Sequence, residues 1–122
     1  MKLIITSFIL IMIIGCGGGE VKDLSFDLDI QHGKLDDKQK FEANKGDRIT
    51  LNIKSDSSYV LHLHGYDLEV ELQKGNNNKV LFFEANATGK FDMALHSVDD
   101  EHSHDGQGDG DENIIGSLKV YP

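Results

Sequence analysis

The chain has 122 residues, with 21 acidic against 12 basic side chains and a net charge of −9 with histidine neutral. That length suits one domain of ordinary size, and the acidic balance argues against nucleic acid as a partner, since phosphate binding needs a basic surface. One Cys excludes an internal disulfide and any multi-Cys zinc or iron–sulfur site.

The N-terminus reads MKLIITSFILIMIIGCGGGE, with Lys2 ahead of a mostly apolar run over residues 3–14. This run is shorter than the roughly 20 residues of a permanent bilayer-spanning helix. It matches the core of a secretory signal peptide. The run ends in Ile13-Ile14-Gly15-Cys16. This ending resembles the lipobox of bacterial lipoproteins, with Ile standing where Leu is more usual. The resemblance implies a signal peptide over residues 1–15 and lipid on the sulfur of Cys16. Residues 16–23 then form a lipidated tether, made flexible by Gly17, Gly18 and Gly19. Two or more acyl chains hold a protein stably on a membrane. The expected location is therefore the bacterial cell envelope, periplasmic or outer face, with the membrane as a partner. The alternative is a plain N-terminal anchor with an incidental Cys. In the lipoprotein reading the only thiol is taken. No thiolate is left for metal ligation, redox exchange or nucleophilic attack.

From Leu24 onward apolar residues recur with period two. Leu24, Phe26, Leu28 and Ile30 form the first such run. Ile49, Leu51 and Ile53 form another, then Leu68, Val70 and Leu72, then Phe91, Met93 and Leu95. Residues 115–121 close the chain as a final strand. This alternation marks half-buried strands. Turn residues separate them: Gly33, Asn44-Lys45-Gly46-Asp47, Gly65, Gly75 to Asn78, and Thr88-Gly89. No long helical period appears in the body. The pattern predicts an all-β sandwich of seven to eight strands with Greek-key connections. Residues 31–40 are polar and fit a loop or one helical turn. Met93 is expected in the core. Gly65 is expected to permit a sharp bend, with Tyr66 packed at a corner and its hydroxyl bonded to backbone.

Residues 24–122 resemble cupredoxin-like domains of bacterial exported proteins, including those of iron-uptake lipoproteins. The segments that carry the likeness are GDRITLNIKSD, YVLHLHGYDLEVEL, KVLFFEANATGKFDMALH and IGSLKVYP. The resemblance implies a cupredoxin-like sandwich, with His64 at the position of the family's first copper-binding His. It sets Leu95 where the copper thiolate would sit, followed by His96. The loop beyond carries His102 and His104 but no Met. Both the Cys and the axial Met of a blue-copper centre are missing. Electron transfer through His₂Cys-ligated copper is therefore not expected.

His62 and His64 have i, i+2 spacing on a strand, so both imidazoles leave the same face while Leu61 and Leu63 turn to the core. In the layout that the resemblance implies, the end of this strand lies beside the end of the strand that finishes at Leu95-His96. His64, His96, His102 and His104 would then gather at one end of the sandwich, with His62 close by. Neutral imidazole binds Cu(II), Zn(II) and Ni(II), with copper tightest. The metal candidates are therefore His62, His64, His96, His102 and His104, with copper as the expected metal and zinc as the alternative. Binding through imidazole should weaken at acid pH as the rings take up protons. His32 reads as incidental. The competing reading makes these histidines surface residues bonded to nearby loops.

Residues 99–112 read DDEHSHDGQGDGDE, with seven of 14 acidic and none basic, inside a loop expected over residues 97–113. Asp105, Asp109 and Asp111 suggest a calcium loop, but Gln107 and Gly116 break the EF-hand pattern. The loop's two histidines favour a softer ion. No Ser-His-Asp order, phosphate loop or zinc-protease motif is present, so the chain is not expected to be an enzyme. The expectation is a metal-handling envelope lipoprotein. The runner-up is a structural or protein-interaction module without metal.

Overall fold

The computed structural model describes residues 19–36, 39–98 and 112–122. Eight strands follow one another: β1 Asp23–Ile30, β2 Phe41–Asn44, β3 Arg48–Ser55, β4 Tyr59–Leu63, β5 Leu68–Leu72, β6 Gly75–Glu84, β7 Gly89–Ser97 and β8 Asn113–Tyr121. Each strand expected from the alternating pattern is present. The short β2 is an addition, and β6 takes in Gly75 to Asn78, where the turn residues predict a break between strands. Residues 31–34 form a tight turn closed by mutual backbone bonds between Gln31 and Lys34, at 2.9 and 3.1 Å.

The strands form two sheets, β1-β3-β6 and β2-β8-β7-β4-β5. β1 pairs parallel with β3, and β2 pairs parallel with β8. Parallel neighbours need a crossover, and here the chain crosses by passing through the opposite sheet. The core lies between the layers. Leu28, Ile30, Ile49 and Ile53 face it from one sheet, and Leu61, Leu63, Met93 and Leu95 from the other. Met93 is 1% exposed, as its place in the alternation predicts. Each fully buried aliphatic or Met side chain contributes about 1.5–3 kcal/mol of apolar transfer free energy.

Two polar features fix the frame. The first is Asp47, whose buried carboxylate accepts from Lys22 N–H at 2.9 Å and from Asn44 N–H at 2.8 Å. It ties the turn between β2 and β3 to the start of β1. Those two backbone donors, Asn44 first, hold its carboxyl below the ordinary range. The second is Tyr66, whose hydroxyl donates to Ala87 O at 2.9 Å and accepts from Ala87 N–H at 3.3 Å. Its ring meets Phe91 edge-on at 4.7 Å. The corner expected at Tyr66 is therefore present. Gly65 makes it possible: its φ is +78°, and a Cβ there would sit 2.5 Å from the Phe91 ring.

Candidate metal centre

Strand alternation sets the site. In β4, Leu61 and Leu63 are each 2% exposed and point inward, so Val60 and His62 point outward. His64 continues that outer row past the strand end, and its N–H donates to Asp92 O at 2.9 Å. In β7, Met93 and Leu95 point inward, so Ala94 and His96 point outward. The antiparallel register sets His62 opposite Ala94 and Val60 opposite His96. The three imidazoles therefore share the outer face of the five-stranded sheet.

Ala94 is completely buried although it belongs to that outer row. Its small side chain lets His62 and His96 approach across the ladder, with ring centroids 6.2 Å apart. His64 stacks on His62 at 4.5 Å, with the planes 33° apart.

Glu112 completes the group. β8 pairs with β7 so that Asn113 lies opposite Leu95, which leaves Glu112 level with His96. Glu112 Oε1 lies 3.7 Å from His96 Nε2, and Oε2 lies 3.3 Å from His64 Nε2. One donor atom each from His62, His96 and Glu112 lie within 4.8 Å of one another. Ligands on one zinc or copper ion sit about 3–4 Å apart, given bonds near 2.0–2.2 Å. Modest side-chain rotations close the difference. His62 Nε2 also lies 3.8 Å from Asp67 Oδ1, and Glu69 faces His62 across β5. Negative charge thus borders the imidazoles on two sides, which favours a cation.

His64 is in a distinctive position. Its Nε2 is closed off from solvent and makes no hydrogen bond among the described residues, because the 3.3 Å approach of Glu112 is out of line.

The expected gathering of His62, His64 and His96 is present, but its location differs from the expectation. β4 and β7 run antiparallel, so their final residues lie toward opposite ends of the ladder. The rings meet on a sheet face, not at a shared end of the sandwich. His96 also points away from Leu95, which is 2% exposed in the core at the position matched to the family's thiolate. The cluster and the thiolate position lie on opposite faces of one sheet. His102, His104 and Cys16, with residues 1–18 and most of the acidic loop, lie outside the described residues. His32 is outside the cluster; its Nδ1 is 3.6 Å from Asp56.

Sequence reasoning missed Glu112 as a candidate ligand. It stands in a run of seven acids, and nothing local distinguishes it from the others. Only its position one residue before a strand that pairs with β7 singles it out.

No protein-family model matches the chain, and no curated protein matches it by sequence. Solved structures do match. A blue copper oxidase from Nitrosomonas europaea is 20% identical, with a TM-score of 0.57 over 83% of this chain. The chain spans only 39% of that oxidase. A copper binding protein solved in its apo form is 12% identical, with a TM-score of 0.56 over 80% of this chain and 87% of its own. The periplasmic domain of cytochrome oxidase subunit II from Bradyrhizobium japonicum is 11% identical, also with a TM-score of 0.56. It is covered over 83% of its length, and this chain over 80%. At these identities the likeness speaks for the fold: the domain is a cupredoxin-like β-sandwich.

Proposed function

We propose that this chain is an exported, lipid-anchored envelope protein whose cupredoxin-like domain binds a transition metal through His62, His96 and Glu112. Copper is the first choice and zinc the second. The observation that carries the reading is the approach of three donor atoms to within 4.8 Å of one another. They come from three separate strand regions, so the group is assembled by the tertiary fold. The likeness to copper-binding sandwiches adds support for copper. The role is metal handling rather than electron transfer or catalysis. The ligands are nitrogen and oxygen, Leu95 stands at the thiolate position, and the only Cys is assigned to lipid. In this reading His102 and His104, on the acidic loop, capture the ion and pass it to the sheet face.

The test is metal retention by the full chain purified in detergent. One equivalent of Cu(II) or Zn(II) should survive desalting and be lost in His62→Ala, His96→Ala and Glu112→Ala. A chain that keeps no metal would overturn the reading. Labelling of cells with a fatty acid, lost in Cys16→Ser, tests the anchor.

The metal-free interaction module stands as a second reading because β6 exposes Val80 and Phe82, at 63% and 64%. Exposed apolar side chains of this size mark contact surfaces when they cluster.

A further inference from the structure

Building on the metal-binding reading, we propose that His64 is not a ligand but a positioning residue. His62, His96 and Oε1 of Glu112 hold the ion, and His64 holds Oε2 of the same carboxylate. The centre is then a two-imidazole, one-carboxylate site with coordination positions open to solvent.

The Glu112 carboxylate is flanked on both sides. Oε1 faces His96 at 3.7 Å and Oε2 faces His64 at 3.3 Å. A carboxylate that binds metal through one oxygen needs a donor for the other, and such outer partners set the ligand's orientation. His64 is the donor placed to do this. Its Nε2 is buried and makes no hydrogen bond among the described residues. Closing the triple around an ion takes modest side-chain rotations, and a turn of the carboxylate among them would bring Oε2 into line with that nitrogen.

The fold fixes the place of His64 through its backbone and its ring. Its N–H is bonded to Asp92 O, its ring stacks on His62, and Gly65 behind it is locked against Phe91. His62 and His96 instead flank buried Ala94, on the same stretch of ladder that Glu112 overhangs.

The ligand set determines the class of ion. Imidazole and carboxylate suit divalent copper, zinc or iron, whereas Cu(I) prefers thiolate and thioether. Three protein ligands leave room for water or a small anion. The exposure of the His96 and Glu112 side chains, 38% and 40%, puts that room on the solvent side.

The full chain in detergent, stripped with chelator and given one equivalent of Cu(II), tests this by pulsed EPR, which counts bound imidazoles. The count should be unchanged in His64→Gln and fall by one in His62→Gln and in His96→Gln. His64→Ala should weaken Cu(II) binding by about 10–100-fold. His64→Gln, whose amide still donates, should recover most of that loss. A count that falls in His64→Gln overturns the proposal, as does unchanged affinity in His64→Ala. A measurement on the unmutated chain guards against variants that fail to fold. In the Zn(II)-loaded protein, nitrogen NMR should find a proton on His64 Nε2; a bare, metal-bound Nε2 overturns the proposal. A chain that binds neither ion refutes the metal-binding reading itself, which is distinguishable from binding with His64 as a ligand.

Discussion

The side-chain amide of Asn113 donates to the carbonyl of Gly33 at 2.6 Å, joining residues 80 apart in sequence. This bond fixes the first residue of β8 against the turn that follows β1. Glu112 is the next residue back, so its approach to His96 depends on the same anchor. Asn113→Ala should lower unfolding free energy by about 0.5–1.5 kcal/mol and weaken Cu(II) binding. Denaturant titration and competition for copper measure the two effects. Wild-type copper affinity in the variant would show that Glu112 is held by β8 pairing alone.

Neighbouring residues on β7 should give opposite outcomes. Met93 faces the core and Ala94 faces the imidazoles. Met93→Ala should cost about 2–5 kcal/mol through the cavity it leaves, yet the folded fraction should still bind metal. Ala94→Leu should cost about 1–3 kcal/mol through overpacking. It should also abolish binding by wedging His62 and His96 apart. Thermal melts with and without Cu(II) separate the cases: only Met93→Ala should be stabilised by the ion.

The hydroxyl of Tyr66 bears on stability alone. Tyr66→Phe removes both bonds to Ala87 and leaves its backbone groups unpaired. A loss of about 1–3 kcal/mol is expected, with no change in metal stoichiometry. Gly65→Ala should be at least as damaging, since the new methyl meets Phe91 and the backbone is left-handed. Urea denaturation curves of both variants check the order.

Acid should act through Asp47. Its carboxyl is held below the ordinary value of 3.8 by N–H donors from Asn44 and Lys22. The unfolded chain therefore takes up this proton at higher pH than the folded chain does. The stabilisation is complete above about pH 4 and is lost as pH falls through the lowered folded value. Asp47→Asn should be less stable than the native chain at neutral pH, and its stability should fall less steeply as pH drops below about 4. Stability measured against pH on both proteins checks the sign.

Most of the sandwich was legible because period-two alternation is a local signal. Leu28, Ile30, Ile49, Ile53, Met93 and Leu95 all lie in the core that the pattern assigns to them. β2 escaped notice because four residues carry too little pattern, and its partner β8 is distant in sequence. The common face of His62 and His64 follows from spacing alone. The face of His96 follows equally, one residue from inward Leu95, whereas its place along the sheet depends on the antiparallel pairing of β4 with β7. Glu112 was beyond reach. A register shift between Met93 and Ala94 decides which residue of β8 lies level with His96, and such a shift leaves no mark in composition or periodicity.

The pairing of β2 with β8 sets an order of events. β2 sits at a sheet edge with β8 as its neighbour, and β8 is the last of the eight strands. As the chain folds, an early ribbon must wait for the eighth before it can dock. The sheet that bears the imidazoles is therefore completed only when β8 has formed. Deleting residues 118–121, which pair with residues 41–44, should unfasten β2.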